Sequence, residues 1–134
     1  MERRVRREPS AELDQWAHEV VGSALEVHKA LGPGFLESVY EEALCIELGL
    51  RGIPFQRQSP VSVIYKECTV GDGRMDIVVG HALVVELKAV ETLLPIHSAQ
   101  IISYLKATGY QLGLLINFNT SVLKDGIKRV ILSH

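Results

Sequence analysis

Residues 73–90 read GRMDIVVGHALVVELKAV, two apolar, β-branched runs around a Gly-His turn signal. After the opening Gly-Arg, the acids and bases in this hairpin are Asp76, Glu86 and Lys88, with His81 in the turn. Side chains alternate across a strand, so the length of the connection decides which face each residue occupies. With a three-residue connection, Gly80-His81-Ala82, Val79 closes opposite Leu83. Asp76 then falls opposite Glu86, and Arg74 opposite Lys88. Met75, Ile77, Val79, Leu83, Val85 and Leu87 form one apolar face in this register. Arg74, Asp76, Val78, Val84, Glu86 and Lys88 form the other. A two-residue turn would pair Asp76 with Val85 and send the carboxylates to opposite faces. The clean partition favours the odd-length turn, or a bulge of equal effect.

Facing carboxylates have Cβ atoms about 5 Å apart and repel unless a proton or a divalent cation is shared between them. Acidic oxygen ligands suit Mg²⁺ or Mn²⁺, which keep several waters and accept phosphate oxygens. Lys88, two residues beyond Glu86, points to the same side, where it could hold a nucleophilic water or stabilise charge on a phosphoryl group. An exposed strand face, its acids neutralised by Arg74 and Lys88, fits the same spacing. Spacing alone leaves both readings open.

Outward from the hairpin the pattern is helical on the N-terminal side. Ser10 is an N-cap, and Leu13, Trp16, Ala17, Val20, Val21, Ala24, Leu25, His28 and Leu31 follow at helical spacing. LGPGF ends this helix, with Gly32, Pro33 and Gly34 shaping the turn. A second helix runs from about Leu36 to Leu50, with Val39, Tyr40, Ala43 and Leu44 inward and Gly49 and Gly52 near its end. From Pro54 the period becomes that of strands: VSVIYKECTV, RMDIVV and ALVVELKAV, separated by GDG and GH turn signals. Pro95 opens a helix that ends at Gly109. The apolar run LGLLINF reads as a strand buried on both faces, and KDGIKRVILSH as a short strand at a sheet edge. The order α-α-β-β-β-α-β-β implies an α/β domain, a mixed β-sheet flanked by α-helices.

The 134 residues suit one domain, with a basic tail over residues 1–9 and a single folded domain over residues 10–134. A chain of this size buries roughly two-thirds of its unfolded surface and needs neither disulfides nor structural metals. Cys45 and Cys68 have no metal-ligand spacing and read as reduced thiols. The start, MERRVRREPS, has no apolar signal segment, and no apolar run approaches the roughly 18 residues of a membrane span. A cytoplasmic protein with no membrane partner is expected. Net charge is −2, so the whole protein has no strong electrostatic pull on nucleic acid, and any contact relies on local patches or bound cations. The patch ERRVRRE, four arginines in seven residues, suits either a solvated tail or a phosphate-contacting arm.

Asp76, nine intervening residues and Glu86-Leu87-Lys88 resemble the D…ExK signature of the PD-(D/E)XK nuclease superfamily. Gln100-Ile-Ile-Ser-Tyr104 is similar to the QxxxY element of its RecB-like branch. Gly34-Phe-Leu-Glu37-Ser-Val-Tyr40 resembles the motif that names the GxxExxY proteins within that superfamily. The resemblance covers the chain from about residue 13, although Arg74-Met75 stand where the superfamily's Pro-Asp pair is often found. It implies a restriction-endonuclease-like core and a metal-dependent nuclease acting on DNA, with Mg²⁺ or Mn²⁺ as cofactor. By the same resemblance Asp76 and Glu86 are metal ligands, joined by the Leu87 carbonyl and Glu37. Lys88 is the catalytic lysine, Gln100 belongs to the catalytic set, and Tyr104 faces the substrate. His97, one turn earlier on the same helix face, suits a substrate contact or an exposed histidine near the helix start.

Several of these residues have plainer uses. A carboxylate in the first turn of a helix, such as Glu37, is favoured by the helix dipole alone. His97, Gln100 and Tyr104 share a helix face that commonly meets solvent. His28 suits a hydrogen-bonded core histidine, or a metal ligand of the kind found upstream in RecB-like enzymes. Arg57 and Arg129 suit a phosphate contact or a solvated surface. Two other functions fit the same residues: a catalytically idle nuclease-fold module binding nucleic acid or a protein, and a resolvase-like homodimer. The homodimer would be marked by an exposed apolar patch on the first helix or last strand.

Overall fold

The computed structural model describes residues 9–132. The tail ERRVRRE lies outside the described residues, and with it the choice between solvated tail and phosphate arm. Helix α1 spans Ala11–Leu31, with the Ser10 side chain accepting the Leu13 amide at 3.1 Å. Its buried stripe is Leu13, Ala17, Val20, Ser23, Ala24 and Val27, so the expected inward Leu25 is instead exposed. Helix α2 spans Glu37–Leu50 and buries Tyr40, Leu44, Cys45 and Leu48. Strands β1 (Phe55–Tyr65), β2 (Cys68–Val79) and β3 (Leu83–Lys88) follow. Helix α3 (Pro95–Thr108) closes on Gly109 in the left-handed conformation. Strand β4 (Leu112–Asn117), a 3-10 turn (Leu123–Gly126) and strand β5 (Ile127–Ile131) complete the described chain.

The five strands lie in the order β1-β2-β3-β4-β5, antiparallel throughout except for the parallel pair β3–β4 that the α3 crossover joins. On one face, α1 and α2 pack against Ile77, Val79, Leu83, Val85, Leu87, Leu112, Leu114 and Ile116. On the other, Ile101 and Leu105 of α3 pack against Met75, Val78, Val84, Leu115 and Val130. Strand β4 is buried along its whole length and β5 forms a sheet edge, matching the order and mixed α/β architecture read from the sequence.

Val39, expected inward on α2, is exposed, and two expectations in the sheet also fail. GDG is not a turn: the β1–β2 connection is Lys66-Glu67, both with positive φ, and Gly71 to Gly73 lie inside β2. Gly73 serves packing, because a Cβ there would stand 3.2 Å from the Tyr104 ring. Met75 also leaves the face on which alternation puts it, packing toward α3 while Ile77 and Val79 pack toward α1 and α2. The cause lies at Gln58, whose φ is 49 and which forms no ladder pair with Asp76, although its neighbours pair in register on both sides. The strand pair kinks there and its faces exchange.

Cys45 is buried and Cys68 exposed, both unpaired, and burial pushes the Cys45 thiol up to about 11. No helix among the described residues is long and apolar enough to cross a membrane. The exposed apolar residues Phe35, Leu36, Val63, Ile64 and Tyr65 lie between the first two helices and at the β1–β2 tip.

Candidate active site

The β2–β3 ladder pairs Val79 with Leu83, Val78 with Val84 and Ile77 with Val85. The connection is therefore the three residues Gly80-His81-Ala82, and the register puts Asp76 across from Glu86. Gly80 has φ 60, and the Trp16 indole lies where a Cβ would stand, at 2.5 Å. That contact seats the closed end of the hairpin on α1. Beyond Ile77–Val85 the main-chain ladder stops and side chains take over. Glu86 Oε2 accepts the Asp76 amide at 2.6 Å, and Asp76 Oδ2 accepts the Leu87 amide at 2.8 Å. Each carboxylate occupies the opening between parting strands and spends one oxygen on the opposite backbone. Arg74 and Lys88 do not pair across it: Arg74 donates to the Gln58 carbonyl, and Lys88 lies opposite Asn117 on β4.

Other elements close on this opening. Glu37 is the first residue of α2, placed by the LGPGF turn, in which Gly32 and Gly34 have φ 68 and 112. The Tyr40 hydroxyl donates to the Gly32 carbonyl at 2.6 Å and accepts the Phe35 amide at 3.1 Å, which locks that turn. Its ring stacks on Phe118 at 4.5 Å, and the Phe118 amide donates to the Lys88 carbonyl. Gly34, Glu37 and Tyr40 thus form one mechanical unit: a left-handed hinge, an acid at the helix start and an aromatic anchor tied to the chain at Lys88. From α3, Tyr104 reaches the same opening, and the exposed Gln100 donates to its hydroxyl at 3.2 Å.

The electrostatics follow from this crowding. Burial and the neighbouring Asp76 raise the Glu86 carboxyl to about 8, against the lowering pull of the Asp76 amide and Lys88. Asp76 is raised by burial and by Glu41, while the Leu87 amide, Lys88 and Gln58 hold it down. Glu37 is raised by burial, Asp76 and Glu41, with Lys88 opposing. Tyr104 is raised by burial and by both carboxylates. Three carboxylates hindered in ionising around one ammonium group are the charge pattern that a divalent cation relieves.

The donor chemistry fits such a cation. Among the described residues, the Glu86 carboxylate accepts a hydrogen bond at Oε2 alone, from the Asp76 amide. Among the described residues, no cluster of three or more His, Cys, Asp or Glu side chains forms a ready-made cage. A cation at Asp76 and Glu86 would therefore take main-chain oxygen and water for much of its shell, as Mg²⁺ and Mn²⁺ do. Glu37 is near enough to feel Asp76 electrostatically, but it does not complete such a cage.

The remaining candidates have identifiable partners. His97 Nδ1 accepts the Leu94 amide at 3.0 Å and so caps the start of α3. His28 Nε2 lies 2.8 Å from the Thr120 carbonyl, to which it donates. Arg57 is held by Glu41 and Glu42 on α2, and Arg129 by Asp14 on α1.

Three residues escaped the sequence reading. Asn117, buried, accepts the Val90 amide at 3.0 Å and donates to its carbonyl at 2.8 Å, which clamps the chain just after Lys88. Its signal was a lone amide ending an apolar strand. Glu41 sits one turn after Glu37, on the same helical face, and that spacing would have revealed it. Gln58 carried no signal, because nothing in its neighbourhood announces a left-handed residue.

A family model described as the PD-(D/E)XK nuclease superfamily matches residues 14–130. A mixed sheet between helices, with paired acids and a lysine where two central strands part, agrees with that class of protein. The chain belongs to the PD-(D/E)XK nuclease superfamily. Nucleases of this superfamily generally use divalent metal ions. No curated protein matches the chain.

Proposed function

We propose that the protein is a cytoplasmic nuclease that uses Mg²⁺ or Mn²⁺ to hydrolyse phosphodiester bonds in DNA. The observation that carries this reading is the open end of the hairpin, where Asp76 and Glu86 replace ladder bonds beside Lys88. Asp76 and Glu86 hold the cation with the Leu87 carbonyl, and Glu37 supports them from α2. The bound cation supplies Lewis-acid stabilisation of the phosphoryl group. The Lys88 ammonium donates hydrogen bonds to the attacking water and to the oxygen where charge develops. The Gln100–Tyr104 pair orients the phosphodiester from the α3 side. Gly34, Glu37 and Tyr40 acting as one unit, together with Gln100 and Tyr104, favour the GxxExxY group and the RecB-like branch.

Labelled single-stranded, duplex, flap and junction DNA incubated with the whole chain and Mg²⁺ or Mn²⁺ tests this directly. Cleavage of at least one substrate is expected. Lys88→Ala should lower its rate by about 10²–10³-fold in a chain that still folds, the scale seen when a transition-state donor is removed. A folded wild-type chain that cuts none of the four would contradict the reading.

A further inference from the structure

The β1–β2 ladder loses one rung at its centre: Arg57 pairs with Ile77 and Ser59 with Met75, while Gln58 and Asp76 stay unpaired. Gln58 has φ 49, a conformation that strains any residue with a Cβ. Such strain persists only where the surroundings over-determine it, and it gathers at functional sites. Apolar packing does not hold Gln58, because the residue is exposed. Polar contacts hold it. The Arg74 guanidinium donates to its carbonyl at 3.2 Å, and its Nε2 donates to Glu41 Oε1 at 2.9 Å. Gln58 stands opposite Asp76 across the missing rung, and its side chain lowers the Asp76 carboxyl's pKa. Glu41 is in turn gripped by Arg57, which also holds Glu42.

A chain of contacts therefore runs from α2 through Glu41 to Gln58, the residue that faces Asp76 across the missing rung. The kink serves the same end, since it exchanges the faces of the strand pair at the residue whose carboxylate must enter the opening and reach the Leu87 amide. Glycine or asparagine would make a left-handed kink with less strain. Glycine has no side chain to reach Glu41 on α2, and asparagine's is one methylene shorter than the glutamine that does.

We propose that Gln58 is a positioning residue that holds the Asp76 carboxylate in the orientation that receives a divalent cation. The inference rests on the nuclease reading of this site. Outer partners of ligating carboxylates typically contribute 10–100-fold in metal affinity.

The test is Mn²⁺ calorimetry on the whole chain without DNA, with thermal melts, for wild type and Gln58→Gly. Glycine relieves the strain and removes only the side chain. The melting temperature should hold or rise, while Mn²⁺ affinity falls by about tenfold or more. An unchanged affinity overturns the proposal and leaves the nuclease reading intact. A Gln58→Gly chain that melts earlier or fails to fold assigns the side chain a structural role and overturns it too. A folded wild-type chain that binds no Mn²⁺ overturns both readings together.

Discussion

The two ends of the β2–β3 hairpin are built from the same two strands but obey opposite rules. At the closed end, Val79, Leu83, Ile77 and Val85 are fully buried, their backbones are laddered, and Trp16 covers the turn. Its apolar side chains and ladder bonds all lower the free energy of folding. At the open end, the ladder gives way to two carboxylates, one of them almost wholly buried and raised to about 8. That end is held in place at some cost by the stable end beside it. Functional sites are where local consistency is given up in this way.

The largest expected effect sets the two ends apart most sharply. The folded-state pKa of Glu86 lies above its ordinary value of 4.5, so folding favours the protonated form. The stability this group contributes is intact below about pH 4.5 and lost as pH rises through about 8. The loss approaches about 5 kcal/mol above that range, an upper figure for a single buried acid. Glu86→Gln removes the charge and keeps the shape. The cation-free variant should therefore be more stable than wild type above about pH 8 in denaturant melts, while losing Mn²⁺ binding. A variant less stable than wild type there would show that the open end is not strained.

Smaller effects separate support from chemistry. Ile77→Ala, in the laddered end, should cost about 3 kcal/mol by urea titration, the usual range for a core truncation, because it empties a packed site. Asn117→Ala should cost about 2 kcal/mol by stranding the Val90 amide and carbonyl. The two should part in function: Ile77→Ala keeps Mn²⁺ affinity in the chains that remain folded, whereas Asn117→Ala weakens it by loosening the chain after Lys88. Equal effects on affinity would erase the distinction between the two ends.

Much of the frame was legible because particular residues encode it directly. Ser10 and Gly109 punctuate helices, and the all-apolar run at β4 announces a strand with two covered faces. The pairing of Asp76 with Glu86 was legible because the apolar and polar residues of the two strands separate cleanly only with an odd-length turn, and turn length fixes the register. What lay beyond the sequence depends on tertiary contact. Lys66-Glu67 makes a left-handed turn without glycine, while the glycines of GDG sit in a strand because Tyr104 needs the space at Gly73. Alternation assumes an unbroken ladder, so it misplaced Met75 across a kink set by Gln58. It also gave no hint that each carboxylate bonds the opposite strand's backbone. His28, Arg57 and Arg129 are chemically apt residues, yet each meets a partner that only the fold brings near, while His97 caps its own helix.

The central claim is that Asp76 and Glu86 form a cation site kept partly protonated by its own burial. The most direct test is the pH dependence of Mn²⁺ affinity for the whole wild-type chain, measured by calorimetry between about pH 6 and pH 8. Cation and proton compete for Glu86, so affinity should climb by up to about tenfold per pH unit and level off near pH 8. Binding that does not change with pH, or no binding at any pH by a folded chain, would contradict it.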